Sequence, residues 1–303
     1  MTTSSPISRT SERTRKHAEH NVQSVVLGNL LIKPWYPAFY PQELIGNKVE
    51  RLYVCQWCFR YSKELMPFVA HMKVCPLKEC TPPGTLIYAK DEISIFEVDG
   101  EEHKLYTQNL SLFSKLFLDT KSVFYDVTTF RYYTMALYDS RTAQRQIVGF
   151  FSKEKMSWDN NNVACILVFP PWQRRGLGQI LMGVSYELSR REGRLGGPEK
   201  PLSSLGRKGY LAYWSVNIAR SILTSSAKKL SIRDIVQDTW ILPEDVIATL
   251  KVMGIVDPSP KAPTEAVVVR DKIEEWVQTN KVVLRPVVHR DAFATAHGHQ
   301  PGS

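Results

Sequence analysis

The sequence has few cysteines and no long apolar run, and each shortage excludes a class of protein. Its longest uninterrupted apolar stretch is far shorter than the roughly twenty residues that a membrane helix needs. The segment 1–20 is polar and lacks the hydrophobic core of a signal peptide. The five cysteines are odd in number and three lie close together, which disfavours a disulfide framework. We therefore expect a soluble intracellular protein in a reducing compartment, with no membrane association.

Acidic residues are also in short supply relative to basic ones. Asp and Glu number 30 against 39 Lys and Arg, a formal net charge of +9, and the pI is near 9.2. Such a charge favours a polyanionic partner surface, but a pI of this size is also commonplace, so charge alone leaves both interpretations open. With 303 residues, 43% of them hydrophobic, the chain can bury a substantial core.

A glycine motif follows an apolar segment near the middle of the chain. Residues 163–169 have the pattern of a buried strand, which the two prolines that follow must end because proline donates no amide. After them comes the run 173–178, Gln-Arg-Arg-Gly-Leu-Gly, and apolar residues then recur at helical spacing until Gly193. Gly176 and Gly178 would let an anion approach the helix N-terminus, with added charge from Arg174 and Arg175. The motif predicts a pyrophosphate site for an acyl-coenzyme A, although many such turns use glycine only for its backbone freedom.

A second loop supplies a carboxylate. It lies thirty-four residues after Cys165, where Pro198 and Pro201 bracket Glu199 in a rigid segment. We interpret Glu199 as a candidate general base, which burial beside apolar residues would have to strengthen.

The cysteine cluster has the spacing of a zinc finger. Cys55 and Cys58 are separated by two residues, twelve residues precede His71, and three more precede Cys75. Three thiolates and one imidazole would fill a tetrahedron, so the metal would be a structural Zn²⁺. A coincidental set of buried cysteines is the alternative. Cys80 lies outside the spacing and is interpreted as a spare thiol.

Several segments, in one order, resemble the catalytic core of the MYST histone acetyltransferases, and the resemblance covers roughly residues 22 to 285. Within this family residues 169–175 are most similar to the small fungal "something about silencing" branch, whose members act on the histone H4 tail. The segments that carry the resemblance are 94–100, 116–119, 149–155, 162–167, 173–178 and 198–203.

The resemblance implies a nuclear enzyme that transfers acetyl from acetyl-CoA to a lysine ε-amine of a histone tail, within a complex of accessory subunits. Glu199 would be the base. Cys165 would either line the site or accept the acetyl group first, and we favour direct transfer because a thiol on an apolar strand ionises only beside a base or a positive charge. Lys115 matches the lysine that the family acetylates on itself; otherwise it is an ordinary helix lysine that reaches water.

The same resemblance implies the contacts to the cofactor. Backbone amides of residues 166–168 would orient the acetyl carbonyl and pantetheine, and the Ser203 hydroxyl would bond to phosphate or pantetheine, with a loop-capping serine as the plain alternative. Gln179 and Ala212 stand where many members have lysine and serine, which predicts looser cofactor binding. The expected cofactor-binding residues are Ile166, Leu167, Val168, Gln173, Arg174, Arg175, Gly176, Leu177, Gly178, Gln179 and Ser203.

Turn signals and apolar spacing predict an α/β (α+β) chain whose acetyltransferase core is a mixed, twisted sheet flanked by helices. The aromatic and proline-rich segment 35–41 is similar to the family's first strand. Near the C-terminus a helix-turn-helix with two strands predicts a winged-helix-like region that packs on the core. Expected strands are 85–88, 93–98, 103–106, 123–125, 132–138, 147–151, 163–169, 266–269 and 282–284, and expected helices are 109–119, 177–192, 232–237 and 244–253.

We expect five regions: a disordered arm at 1–20, a strand segment with the C2HC zinc finger at 21–82, the acetyl-CoA-binding core at 83–222, the winged-helix-like region at 223–289 and a disordered tail at 290–303. The basic surface would dock on nucleosomal DNA. A competing hypothesis is a catalytically silent chromatin-binding module that keeps zinc and the basic surface, and a small-amine acetyltransferase is a weaker one. The intact Glu199 and complete glycine loop oppose the silent module.

Overall fold

The computed structural model describes residues 20–78, 80–119, 125–141, 143–227, 229–256 and 267–294. Its N-terminal part is a four-stranded sheet of order β2-β1-β3-β4 with two helices. The elements are β1 (Val22–Leu27), β2 (Leu30–Ile32), α1 (Gln42–Ile45), β3 (Val49–Val54), β4 (Tyr61–Ser62) and α2 (Leu65–Val74).

The segment 35–41 is not the strand that we expected. It has no strand hydrogen bonds, and the amides of Trp35 and Tyr36 instead donate to the carbonyl of Leu116, at 2.9 and 3.1 Å. Pro37 and Pro41 have no amide to give a strand partner, which explains the irregular path.

The central sheet has five strands in the order β10-β8-β7-β6-β5, with every neighbouring pair antiparallel. A separate parallel pair lies beside it, because β9 leads through Ala164 into β10 and pairs with β11. The mixed α/β architecture is thereby confirmed. The strands are β5 (Thr85–Lys90), β6 (Ile93–Asp99), β7 (Phe130–Asp139), β8 (Gln144–Glu154), β9 (Asn161–Val163), β10 (Cys165–Val168) and β11 (Gly197–Pro198).

Helices cover both faces of this sheet. On one face Tyr132 and Phe150 belong to the same buried cluster as residues of α3 (Lys104–Lys115), and on the other Tyr133 and Phe151 pack with α4 (Leu177–Arg191). Successive side chains of a strand point to opposite faces, so adjacent residues of β7 and β8 enter different cores. The longest helix, α5 (Ser204–Thr224), packs beside α4.

Residues 104–106 are the start of α3, with His103 as its N-cap, and do not form the expected strand. Tyr106, Leu110 and Phe113 are all buried at helical spacing. The Asp99-Gly100 pair suggested a hairpin turn, but glycine is needed there because a Cβ would collide with the Val127 carbonyl. The helix expected at 109–119 therefore begins earlier and ends at Lys115. Of the strand expected at 123–125, residues 123 and 124 lie outside the described residues.

The C-terminal part contains β12 (Lys229–Ser231), α6 (Ile232–Thr239), α7 (Pro243–Val252), β13 (Val267–Val269) and α8 (Arg270–Thr279), with β12 antiparallel to β13. Ser231 caps α6 in a reciprocal capping box with Asp234. The strand expected at 282–284 is wrong, because those residues have no strand pairing, and we did not anticipate α8. The expected strands 266–269 and 282–284 therefore do not form a wing together, since residues 267–269 pair with β12, and the winged-helix comparison stays a prediction.

The tail is ordered for its first residues, contrary to expectation. Residues 290–292 form a short 3-10 helix, and Phe293 is 6% exposed. Its ring lies 4.9 Å from that of Tyr88 on β5. Removing the aromatic ring from water stabilises this contact. Among the residues described, no helix is long and apolar enough to cross a membrane.

The finger and the central sheet share one core. Phe59, between two metal-ligand candidates, is fully buried with its ring 5.7 Å from Phe113 of α3 and 5.9 Å from Phe169. All three belong to one cluster that also takes in Val25 and Leu52 of the N-terminal sheet. Since Phe169 directly follows β10, this aromatic cluster connects the finger to the end of the strand that carries the candidate site.

Candidate active site

The strand β10 forms the edge of the central sheet, so one side of its backbone is open. The Phe169 amide donates to the Val148 carbonyl at 2.8 Å. Because the amides of alternate residues in an antiparallel strand point to opposite sides, Ile166 and Val168 direct theirs away from β8, whereas Leu167 directs its amide towards it. Two of the three expected amides therefore face the open edge.

The loop after β10 presents helix amides beside that edge. Gly176 has a left-handed φ of 78° and precedes α4, and nothing lies within 4 Å of a Cβ placed there. Glycine is therefore required by the backbone conformation. Leu177 and Gly178 lie in the first turn of a fifteen-residue helix, whose amides have no earlier helical carbonyl to bind. Such a helix start can hold a pyrophosphate.

The Gln173 side chain braces this loop. Gln173 donates from Nε2 to the carbonyl of Val168 at 2.7 Å, which ties the loop to the strand. Arg174 and Arg175 are exposed at its tip, where they can meet an anion from solvent.

Two expected cofactor contacts already have partners within the chain. Gln179 donates from Nε2 to the Gly209 carbonyl at 3.0 Å, which joins α4 to α5. Ser203 is the N-cap of α5, and its hydroxyl oxygen accepts a hydrogen bond from the Gly206 amide at 3.1 Å. The capping role that was the plain alternative for Ser203 is thus present, and a contact of either residue with the cofactor stays a prediction.

The fold brings Glu199 to β9, the strand that leads directly into Cys165. The Glu199 amide donates to the Val163 carbonyl at 2.8 Å, and Val163 lies two residues before Cys165. This bond extends the parallel pairing of β9 with β11. The Glu199 side chain is exposed, so the apolar surroundings expected to strengthen it as a base are not supplied by the described chain. The Cys165 thiol is half-buried and packs on the core that contains α3.

Lys115 is almost completely buried, with 5% of its surface exposed. Its Nζ donates to the Asp119 carbonyl at 2.8 Å and lies 4.9 Å from the centre of the Phe39 ring. Burial lowers the pKa of Lys115, while the nearby Asp119 partly opposes this. The structure thus contradicts the alternative in which an ordinary lysine extends into water.

The expected zinc ligands come together. One ligand atom from each of Cys55, Cys58, His71 and Cys75 lies within 4.8 Å of all the others. The sulfurs of Cys55 and Cys75 are 3.7 Å apart, close to the about 3.8 Å that two thiolates at about 2.3 Å from a tetrahedral zinc would span. The hydrogen bond from Cys58 lowers the pKa of the Cys55 thiol, which favours the thiolate form that binds metal. The donor set fits a structural Zn²⁺, and coincidence is no longer a sufficient account.

Sequence reasoning missed two features of the site. Gly149 on β8 faces β10, and a Cβ there would lie 2.6 Å from the Leu167 carbonyl oxygen. A glycine inside an apolar strand is a known sign of close backbone approach, so this signal was available. Lys200, next to Glu199, forms an ion pair with Asp245 at 2.7 Å. No local pattern could have revealed that pair, since its members are far apart in sequence.

Together the twisted sheet with its helices, the glycine loop at its edge strand and the zinc cluster define an acetyltransferase fold with an N-terminal zinc-finger region. Residues 81–292 match the model of the MOZ/SAS family, and residues 20–75 match the MYST family zinc finger domain. The chain belongs to the MOZ/SAS family of MYST proteins, and the resemblance stated from its motifs is confirmed.

Several curated proteins are similar to the chain. It is 43% identical over 239 residues to "Histone acetyltransferase Tip60 homolog" of Caenorhabditis elegans, an alignment that covers 78% of this chain and 51% of that protein. It is also 43% identical over 235 residues to "Histone acetyltransferase esa-1" of Neurospora crassa, covering 77% and 45%. Against "Histone acetyltransferase KAT6A" of Homo sapiens it is 39% identical over 264 residues, covering 87% and 13%. The chain thus spans about half the length of the first two relatives, or less.

Proposed function

We propose that the chain transfers the acetyl group of acetyl-CoA to the ε-amine of a lysine in a histone tail, with the H4 tail as its substrate. One observation carries this proposal. The Glu199 amide bonds to Val163, so a carboxylate lies beside the edge strand whose other end leads into the glycine loop. A donor anchored by pyrophosphate at that loop and lying along β10 would extend towards Glu199.

The residues around the donor have separable tasks. The helix amides of Leu177 and Gly178, with Arg174 and Arg175, would bind the pyrophosphate. The outward amides at positions 166 and 168 would hold the pantetheine and the acetyl carbonyl. Bound acetyl-CoA supplies an electrophilic thioester carbonyl and a thiol leaving group.

Glu199 would manage the proton of the attacking lysine. An ammonium with a usual pKa near 10.4 loses its proton at neutral pH at a cost of about 4 to 5 kcal/mol. Glu199 accepts this proton, the amine nitrogen forms its bond to the carbonyl carbon, and the carbon–sulfur bond breaks as the sulfur leaves and takes up a proton. Because Glu199 is exposed in the chain alone, bound donor and peptide would have to exclude water from it.

Direct transfer suits the position of Cys165. The thiol is half-buried against an apolar core, and such surroundings disfavour a standing thiolate. Lys115 is a nearby positive side chain that acts in the opposite sense, but its Nζ is held by the Asp119 carbonyl. We therefore assign Cys165 to the wall of the site, and a route through an acetylated thiol is the alternative that mutation can test.

We extend the proposal to Lys115 as a site of acetylation by the enzyme itself. Burial lowers the pKa of Lys115, which favours the neutral amine that attacks a thioester. Since the residue is only 5% exposed, the segment around Phe39 or the end of α3 would have to open before a donor could reach Nζ.

The surroundings in which the enzyme works follow from its charge and family. A net charge of +9 suits docking on nucleosomal DNA, which would be salt-sensitive and blind to sequence. Because histones are the proposed substrate, we place the activity in the nucleus. The histone tail is itself cationic, so the positive net charge of the chain cannot bind it, and we place the enzyme within an assembly of accessory subunits.

Acetyl transfer to an H4 peptide and to nucleosomes tests the proposal. We expect Glu199→Gln to lower kcat at neutral pH by about 10² to 10⁴-fold, the usual contribution of a general base, and to leave the Kd for acetyl-CoA within about twofold. Glu275→Gln, on the exposed surface of α8, is the matched control and should retain full activity.

A fully active Glu199→Gln protein would remove the proposed base. If the wild-type chain transfers no acetyl group to either substrate, alone or with accessory subunits, the silent zinc-containing chromatin-binding module is the better account.

A further inference from the structure

The loop that carries Glu199 rests on the C-terminal part of the chain. Glycine at position 197 is needed for this contact, since a Cβ there would lie 2.7 Å from the Leu242 side chain and 3.3 Å from Oδ2 of Asp245. Leu242 is the N-cap residue of α7, and Asp245 lies in the first turn of that helix. The start of α7 is thus packed directly against β11, immediately before Glu199.

An ion pair fixes Lys200, the residue that directly follows Glu199. Lys200 donates from Nζ to Oδ1 of Asp245 at 2.7 Å, while Oε1 of Glu244 is at 4.0 Å. The Asp245 side chain is 6% exposed, whereas that of Lys200 is 47% exposed. A charge-assisted hydrogen bond to a buried carboxylate holds geometry better than a surface pair does.

Asp245 has little else to compensate its burial. Its Oδ2 is buried without a hydrogen-bond partner among the described residues. Burial raises the pKa of Asp245, and the hydrogen bond from Lys200 acts in the opposite direction. The dipole at the start of α7 also favours a carboxylate there. Loss of the Lys200 side chain would leave the buried Asp245 carboxylate without its ion-pair partner, which favours keeping the two residues in contact.

Glu199 therefore lies between two anchors. Its own amide is bonded to Val163 of β9, and the next residue is tied to α7, whose Val246 and Leu250 are fully buried in the C-terminal core. We propose that Asp245, acting through Lys200, is a positioning residue that fixes the Glu199 loop against the edge strand. Asp245 does not touch the reacting atoms; α7 thereby becomes a structural support of the acid–base site, an inference that rests on the proposed function.

The anchoring is measured without any catalytic assay. Hydrogen–deuterium exchange of the whole chain reports on the Glu199 amide, which the bond to Val163 protects. In Asp245→Asn and Lys200→Met we expect exchange in residues 195–203 to become at least about tenfold faster, with α5 and β8 unchanged. Glu244→Gln, an exposed neighbour of the same lysine, is the matched control and should exchange like the wild type.

The positioning role is measured by steady-state kinetics on the same proteins. Misplacing a catalytic group by about 1 Å can cost about 10²-fold in rate. We expect kcat to fall by about 10- to 100-fold in Asp245→Asn and Lys200→Met, with the KM for acetyl-CoA within about twofold, and Lys200→Arg to recover most of the loss. If Asp245→Asn fails to fold, the result for Lys200→Met decides. The Lys200 side chain is half exposed, so its replacement disturbs the core less.

Unchanged exchange in Lys200→Met overturns the anchor, and faster exchange with unchanged kcat overturns the positioning role. An inactive wild-type protein would instead refute the proposed function, and the exchange result would still decide whether the pair anchors the loop.

Discussion

Replacing Gly149 by alanine should push the edge strand away from the sheet. The added Cβ would lie 2.6 Å from the Leu167 carbonyl oxygen and 3.0 Å from Cα of Val168, whereas ordinary contact begins at 3.4 Å. Both neighbours are backbone atoms, so no side chain can rotate away, and β10 must retreat by about 0.8 Å. The φ of Gly149 is not in the left-handed region, so steric contact alone is tested.

Two effects of different size follow from this displacement. Overpacking of a buried site destabilises the folded state by about 1 to 3 kcal/mol. Alanine also reduces the conformational entropy of the unfolded chain, which offsets about 0.5 to 1 kcal/mol of that cost. The free energy of unfolding should thus fall by about 1 kcal/mol, and by at most about 2.5 kcal/mol. The amides of Ile166 and Val168 move with the strand, and a shift approaching 1 Å predicts a loss of up to about 10²-fold in kcat.

Urea unfolding and acetyl-transfer kinetics measure these two effects separately. Gly209→Ala is the control, because the nearest atom to its added Cβ is the end of the flexible Met182 side chain at 3.0 Å and the residue lies inside α5. This control should be as stable as the wild type or slightly more so. If Gly149→Ala has the stability and the kcat of the wild type, the absence of a Cβ at position 149 is not what allows β10 to lie so close to β8.

Three further perturbations have defined outcomes. Cys75→Ser should abolish stoichiometric zinc binding and lower the thermal unfolding midpoint sharply, because zinc binding supplies about 10 to 16 kcal/mol in isolated fingers. The control Cys80→Ser should change neither zinc content nor the midpoint. A Cys75→Ser protein that still binds zinc stoichiometrically would contradict the ligand set. Cys165→Ala should keep acetyl transfer within about tenfold at saturating donor, and near-complete loss with an intact fold would favour the acetyl-thiol route. Burial lowers the pKa of Lys115, so the unfolded chain takes up this proton at a higher pH than the folded one and the free energy of unfolding should rise with pH between the two values. Urea unfolding from about pH 8 to 10.5 should show that rise in the wild type and in Lys104→Met, an exposed control, but not in Lys115→Met; an identical rise in Lys115→Met would assign it to other groups.

Local signals predicted the elements that carry the site, because the chemistry that ends or begins an element is written in adjacent residues. Two prolines end the apolar segment, and Gly176 and Ser231 begin helices at the expected places. The zinc ligands were accessible for the same reason, since their spacing lies within one short stretch.

Long-range pairing set the limit of prediction. The Asp99-Gly100 pair looked like a hairpin turn, but its glycine is required by the distant Val127 carbonyl. The exposure of Glu199, its bond to Val163 and the Lys200–Asp245 pair depend on packing between segments far apart in sequence. The proline-bracketed loop suggested Glu199 as a candidate base, and the resemblance to the family implied the same role.

Phe59 makes the zinc finger difficult to exchange as a module. Its ring fills a space bounded by Phe113 and Phe169, so a finger with a side chain of another shape at this position would leave a void or a clash there. A chimera joined near residue 82 would need matched changes on α3 and after β10 before its edge strand lay correctly. A change in the metal-binding part of the chain therefore reaches the strand beside the glycine loop through this side chain.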